Sequence, residues 1–186
     1  MSNYPLYTIE TAPQASKAAL AQLQTEIGFL PNLAAAMADS PAMITAFINL
    51  RAAYSLSSLP PVERELILLA TAVQYRNAYG VAVHSTVAKG LGAAEAVLAT
   101  LRAGQACPDS RVDAIARLAR SASRGEPLSS SDLEIASIVG LRNHEVLDIM
   151  TGVAIGNLVA SMFLLAPDTP LDSPFESQAW QGNNEL

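Results

Sequence analysis

The chain has 186 residues, of which 51% are hydrophobic, 5% aromatic and 15% charged, and its formal net charge is -6. This length fits one domain with a sizeable core, and the composition indicates a compact helical protein with extensive buried or subunit-facing surface. The only two lysines are Lys17 and Lys89, and no basic patch is present. We therefore expect no nucleic acid partner, and an acidic surface argues against binding to anionic membranes.

Apolar residues recur at helical spacing, and no alternating strand pattern extends beyond a few positions. We expect an N-terminal arm over 1–12, one all-α domain over 13–166 and a tail or docking arm over 167–186. In the third helix we expect Met43, Phe47, Leu50 and Ala53 to face inward. The predicted helices cover 13–28, a short stretch ending at 37, 41–54, two helices within 61–92, then 93–101, 111–123, 131–139 and 143–165.

The two helices within 61–92 carry the most informative residues. Glu65 and His84 fall on faces whose helical neighbours are apolar, and ionisable residues are rarely buried without a partner. Such a helix pair folds back on itself, so Glu65 and His84 can approach each other. The alternative is that both are structural polar groups that are hydrogen-bonded elsewhere in the core.

The pattern resembles the alkylhydroperoxidase D-like and carboxymuconolactone decarboxylase superfamily, whose peroxidase branch has Arg-Glu-Leu-Ile, an apolar run, Cys-x-x-Cys-x-x-x-His and Gly-Leu. Residues 64–67 match the opening, His84 the histidine and residues 90–91 the ending. Residues 28–32, the pair at 40–41 and Asn157 resemble its peroxidase-related members. The resemblance implies an all-α, multi-helix bundle that forms a homo-oligomer, often a trimer or a hexamer.

Asn77 and Gly80 stand at the two cysteine positions of that motif. In the family the thiols reduce the peroxide, while the glutamate and histidine move the proton from a thiol. Neither asparagine nor glycine can supply a thiolate or form a disulfide. We therefore predict that thiol peroxidase activity is absent from this site.

The remaining chemistry-bearing residues predict no further site. Cys107 is the only cysteine, so the chain has no internal disulfide, and we interpret it as an ordinary residue between two helices. His144 lies sixty residues from His84, which is not a metal-ligand spacing. No phosphate-binding loop or hydrolase motif is present, and we expect no metal or cofactor.

The last predicted helix is uncharged from Ile149 to Pro167 and contains Gly152-x-x-x-Gly156. About 20 apolar residues can span a bilayer, and this glycine spacing suits close helix contact. Its polar residues and acidic flanks favour a core or subunit-interface helix instead. In the tail, Phe175 and Trp180 indicate either a disordered end or an arm that docks on its own core or on a neighbouring subunit.

The resemblance implies that Glu65 and His84 are the catalytic residues. We expect Asn77 and Tyr79, in the turn just before His84, to donate hydrogen bonds to a substrate oxygen, and Gly80 to lie in contact with the substrate beside them. The first hypothesis is acid–base chemistry on a small organic acid or lactone, as in the decarboxylase branch. The second is a non-catalytic ligand-binding or scaffold protein, and the third is residual antioxidant activity of Cys107. The N-terminus has no signal peptide pattern, so a cytoplasmic location is expected.

Overall fold

The computed structural model describes residues 4–182, so the ends of the predicted N-terminal arm and C-terminal tail lie outside the described residues. Within this range the chain is all α-helical, with two short 3₁₀ segments at Gln14–Ser16 and Ser173–Gln178. The predicted all-α fold class is therefore confirmed. The helices are α1 (Lys17–Ile27), α2 (Asn32–Met37), α3 (Pro41–Ser55), α4 (Pro61–Gln74), α5 (Ala78–Gly90), α6 (Glu95–Arg102), α7 (Ser110–Ser123), α8 (Ser130–Ile138) and α9 (Asn143–Leu165).

Helix α4 is the centre of the bundle. Every residue from 66 to 73 on this helix is buried. A helix that is apolar and buried all round must be enclosed by other elements, and α5, α6, α7 and α9 all pack against α4. The helix begins at Pro61, where the missing proline N–H costs no hydrogen bond. Glu65 therefore lies on a helix whose position is fixed by packing against four other helices.

Two glycines let α9 approach α4 closely. A Cβ atom at Gly156 would lie 2.4 Å from Cγ2 of Thr71, and one at Gly152 would lie 2.8 Å from Cγ2 of Ile67. Both distances are far below van der Waals contact, so only glycine fits at either position. The glycine spacing in α9 therefore serves helix packing within this chain.

By length and composition alone, α9 could cross a membrane, but 44% of its most apolar window is buried inside the fold. Its buried side packs on α3, α4 and α7. Its other side exposes Leu147, Leu164 and Leu165. The buried side of α9 therefore belongs to the core, as the sequence indicated.

An ion cluster ties α4, α7 and α9 together. Arg111 donates to both carboxylate oxygens of Glu63, at 2.8 and 3.0 Å, and to Oε1 of Glu145 at 3.0 Å. Burial acts to raise the pKa of Glu145, but the backbone N–H of Arg142 and the guanidinium groups of Arg111 and Arg142 outweigh it and lower that pKa to about 2. The cluster fixes the ends of three core helices.

The described part of the tail docks on its own chain. Phe175 is buried and its ring centroid lies 5.8 Å from that of Phe29. Arg102 donates to the side-chain oxygen of Gln178 at 2.9 Å, and Trp180 is half-buried against the main core. Of the two arrangements considered for the tail, this segment adopts the docked one.

Candidate functional site

A tight reversal between α4 and α5 creates the candidate site. Arg76 has a φ of 52° and is the one non-glycine residue with positive φ among residues 4–182. The N–H of Asn77 donates to the carbonyl of Ala72 at 2.9 Å, which closes the end of α4 around this left-handed residue. The chain then turns directly into α5, which runs back along α4.

This reversal brings Glu65 and His84 together across nineteen positions of sequence. Nδ1 of His84 lies 2.8 Å from Oε2 of Glu65, and the two side chains are 16% and 21% exposed, respectively. A carboxylate only accepts hydrogen bonds, so the imidazole donates through Nδ1–H. His84 Nε2 makes no hydrogen bond to any residue between 4 and 182. The pair is half-buried and is not sealed inside the core.

Both residues lie in the wall of a cavity of about 460 Å³. This volume is typical of small-molecule sites. The cavity is bounded by α1–α5, α9, the loop before α2 and Phe175 of the tail. Apart from seven residues with polar side chains, the lining is glycine or nonpolar. Those seven residues are Arg51, Tyr54, Ser55, Arg64, Glu65, Tyr79 and His84.

Asn77 does not take the substrate-binding position predicted for it. Its side chain is 1% exposed and does not line the cavity. Its Oδ1 accepts the N–H of Gly80 at 2.9 Å and thereby caps the N-terminus of α5. The structure therefore corrects the predicted role: Asn77 holds the helix that carries His84.

Tyr79 lines the cavity with its ring, but its hydroxyl group is already engaged. It donates to Oδ2 of Asp172 in the tail and accepts the N–H of Leu33 at 3.4 Å. Burial and the hydrogen bond to Asp172 raise the pKa of the Tyr79 phenol well above its usual range. The Tyr79 hydroxyl group, which was predicted to donate to a substrate, instead links α5 to α2 and to the tail and so acts as a clamp.

Gly80 lines the cavity, and its contact with a substrate stays a prediction. A Cβ atom there would lie 2.8 Å from Nδ2 of Asn77 and 3.1 Å from Cβ of Ala72. The absent side chain therefore leaves room for the α5 cap, and it also leaves the cavity wall open beside His84.

Cys107 lies apart from this site. It is a buried free cysteine in the loop between α6 and α7, its backbone N–H donates to Asp113 at 2.8 Å, and it does not line the cavity. His144 is exposed at the start of α9. Among residues 4–182, no group of three or more His, Cys, Asp and Glu side chains could hold a metal ion.

Four other residues that line the cavity were not predicted from the sequence. Tyr54 is buried, and its pKa is raised by burial and by the nearby charge of Glu65. Arg51 and Phe175 complete the wall from α3 and the tail. Arg64 on α4 is half-buried, and it donates to the carbonyls of Tyr54 and Ser55 at 3.3 and 3.2 Å. The sequence signal that could have identified Arg51 was its position on α3, one helical turn after Phe47, which was expected to face inward.

Comparisons with known proteins agree with this architecture. The carboxymuconolactone decarboxylase family matches residues 38–124, which include α3 to α7 and the Glu65–His84 pair. No curated protein matches the chain. The fold is similar to that of an alkylhydroperoxidase AhpD core, an uncharacterized peroxidase-related protein from Ralstonia eutropha JMP134, with a TM-score of 0.77 and 22% identity over 94% of each chain.

Two further solved structures share the fold. An uncharacterized peroxidase-related protein from Silicibacter sp. TM1040 has a TM-score of 0.75 and 19% identity over 95% of this chain and 93% of its own. A cysteine-to-alanine variant of the debrominase Bmp8, in complex with 2,3,4-tribromopyrrole, has a TM-score of 0.76 and 16% identity over 96% and 97%. The family match over residues 38–124 and the shared fold support the resemblance to the alkylhydroperoxidase D-like and carboxymuconolactone decarboxylase superfamily that the sequence pattern indicated.

Proposed function

We propose that the chain is an acid–base catalyst in which His84 moves a proton and Glu65 supports it. The observation that carries this proposal is the 2.8 Å hydrogen bond between the two side chains in the wall of a cavity of about 460 Å³. Structural polar pairs also occur in protein cores. The position of this pair beside a space large enough for a small molecule favours a chemical role.

The hydrogen bond determines what each nitrogen of the ring can do. Because Nδ1–H donates to Glu65, the neutral ring keeps a lone pair on Nε2, which can accept a proton from a bound molecule. The imidazolium that results is stabilised by the carboxylate of Glu65. The reverse transfer returns the proton to another atom of the ligand, so one residue can act as base and then as acid.

The lining indicates the kind of molecule that would bind. Its predominantly nonpolar surface suits a compact ligand with an apolar body and few polar groups. The complex of the structurally similar debrominase with 2,3,4-tribromopyrrole supports a small, largely apolar ligand. Small organic acids and lactones with a proton next to a carbonyl group meet this description.

Thiol peroxidase chemistry is not part of the proposal. Asn77 and Gly80 supply no thiol, and Cys107 lies outside the cavity. A homo-oligomer and a cytoplasmic location stay predictions of the resemblance and the sequence.

A non-catalytic ligand-binding role is the alternative. It is favoured by the mostly nonpolar lining, which offers few hydrogen-bonding groups to orient a reacting molecule. A sealed, dry core around His84 would favour it further, but His84 and Glu65 are partly exposed. The two roles differ in whether His84 exchanges a proton with the ligand.

Deuterium exchange at carbon separates these roles. A panel of small β-keto acids and lactones is incubated in D₂O with the wild-type protein, and loss of the proton next to the carbonyl is followed by NMR. We expect exchange of at least one class to be accelerated, and His84→Gln to reduce the acceleration by about 100-fold or more, since positioned proton transfer contributes about 10² to 10⁴.

His144→Gln is the matched control, because it removes the other histidine, which is exposed on α9 and outside the cavity. It should exchange at the wild-type rate. If wild type and His84→Gln exchange every compound equally, the catalytic proposal is wrong, and the ligand-binding role gains support.

A further inference from the structure

Arg51 lies in the cavity wall on the same face of α3 as Phe47 and Ser55. The three residues are four positions apart along the helix, which places them one above the other, and all three line the cavity. The guanidinium carbon of Arg51 lies 5.7 Å from the centroid of the Phe47 ring. This cation–π contact holds the side chain along the wall.

The guanidinium group of Arg51 is poorly partnered by the protein. Its Nε is buried and has no hydrogen-bond partner within residues 4–182. Its ion pair with Glu26 spans 3.9 Å between side chains that are 38% and 44% exposed, and such pairs contribute little. By contrast, Arg64 in the same wall donates to two backbone carbonyls.

Arg120 has a buried Nε without a partner as well, but it does not line the cavity. Arg51 therefore combines a weakly partnered guanidinium group with a partly exposed position in the cavity wall. A ligand carboxylate that pairs with this group would form a charge-assisted hydrogen bond.

The charges of the wall also favour an anion. The chain as a whole carries a net charge of -6, yet the ionisable side chains of the wall include two arginines, Arg51 and Arg64, and one carboxylate, Glu65. That carboxylate is already bonded to His84. A positively charged cavity wall in an acidic protein attracts a small anion to this site.

We propose that Arg51 binds the carboxylate of an organic acid whose apolar body fills the cavity. The inference deepens the proposed function, because it selects acids over uncharged lactones and orients the ligand relative to His84. A guanidinium group suits this task, since it can pair with a carboxylate through two parallel hydrogen bonds. Arg51 acts as a binding and specificity residue, and proton transfer stays with His84.

The test compares two probes of equal shape and different charge, 2-naphthoate and 2-naphthamide, with affinities measured by NMR titration. In the wild type we expect the carboxylate to bind about tenfold more tightly or better, the range of a charge-assisted hydrogen bond. Arg51→Met should abolish this preference and leave the naphthamide affinity within about twofold. Arg51→Lys should recover part of the preference, since an ammonium group keeps the charge but not the two-point geometry.

Arg117→Met is the matched control, because it removes an arginine from α7 that pairs with Asp132 and does not line the cavity. It should bind both probes as the wild type does. His84→Gln should retain the carboxylate preference, so a failure of the catalytic proposal alone leaves this result intact. The role of Arg51 would be overturned if the wild type failed to bind naphthoate or bound both probes with equal affinity. It would also be overturned if folded Arg51→Met and Arg51→Gln kept the wild-type preference for the carboxylate.

Discussion

The side chain of Asn77 occupies the space that any side chain at Gly80 would need. A Cβ atom at position 80 would lie 2.8 Å from Nδ2 of Asn77, because Asn77 folds over the first turn of α5 to accept the N–H of Gly80 at 2.9 Å. The residues at the two cysteine positions of the motif thus depend on each other, because the Asn77 side chain fits only where position 80 has no side chain. Together they form a helix cap where the motif that the sequence resembles has two cysteines.

The double substitution Asn77→Cys with Gly80→Cys should create peroxide reduction. Position 77 is the N-cap of α5, and a thiol at a helix N-terminus is more acidic than a free one. Positions 77 and 80 are three residues apart at the helix start, and His84 with its partner Glu65 follows on the same helix pair. Turnover is measured as peroxide consumption in the presence of a dithiol reductant.

Two control variants make this result specific. Adding His84→Gln to the double variant should lower turnover, because the proton relay is then lost. Gly80→Cys alone should unfold at lower urea concentration than the double variant, since only the single variant keeps the Asn77 amide in the way. A folded double variant without any peroxide turnover would contradict either the mapping of the two positions or the relay.

Tyr79→Phe should loosen the docked tail. The hydroxyl group of Tyr79 donates to Asp172 and accepts the buried N–H of Leu33. Its removal leaves that N–H unsatisfied, so the free energy of unfolding should fall by about 1 to 3 kcal/mol. Hydrogen exchange at residues 172–178 should accelerate more than exchange in α7. Tyr75→Phe is the comparison, since the Tyr75 hydroxyl bonds to Ser123 outside the tail. Equal tail exchange in the two variants would contradict the clamp.

Gly156→Ala should destabilise the bundle through overpacking. The added Cβ would lie 2.4 Å from Cγ2 and 2.9 Å from Cβ of Thr71, a β-branched residue that is fully buried on α4. Such overpacking costs about 1 to 3 kcal/mol. Gly90→Ala is the matched control at the end of α5, where a Cβ meets nothing within 4 Å. Thermal unfolding should separate the two variants, and equal midpoints would show that α9 does not pack on α4 in this way.

The ion cluster at Arg111 predicts a loss of stability in acid. The pKa of Glu145 falls from an ordinary value of 4.5 to about 2 in the folded chain. A depressed folded pKa contributes stability above the unfolded pKa, and that stability is lost as the pH falls from about 4.5 to 2. Urea unfolding of the wild type should lose about 2 to 3 kcal/mol more over this window than Glu145→Gln does. Parallel pH profiles for the two proteins would contradict the assignment.

The sequence predicted the helices, and it indicated that Glu65 and His84 can approach each other without giving their distance. Helix ends are marked by local residues such as Ser40 and Pro41, and a tight reversal of two apolar helices brings their facing positions together. The buried face of α3 was predicted only in part. Ile44, Ile48 and Tyr54 are buried, whereas Ala53, which was expected to face inward, is exposed. Phe47 lies on the face that borders the cavity and is therefore only half-buried.

The role of Asn77 and the far wall of the cavity could not be predicted from the sequence. An asparagine before a helix is suited both to capping and to binding a ligand, and only its hydrogen-bond partner distinguishes the two. Arg51 and Phe175 reach the cavity from segments far apart in the chain, which pack together only in the tertiary fold. Local periodicity carries no information about such contacts.

The most direct test of the central claim is the tautomer of His84 in the neutral state, measured from the ¹⁵N chemical shifts of its ring nitrogens. The hydrogen bond from Nδ1 to Glu65 predicts that Nδ1 carries the proton and that Nε2 is unprotonated. In Glu65→Ala the proton should be free to move to Nε2, while His144 should be unchanged. A wild-type His84 protonated at Nε2 would contradict the account, because the nitrogen assigned to accept the substrate proton would already be occupied.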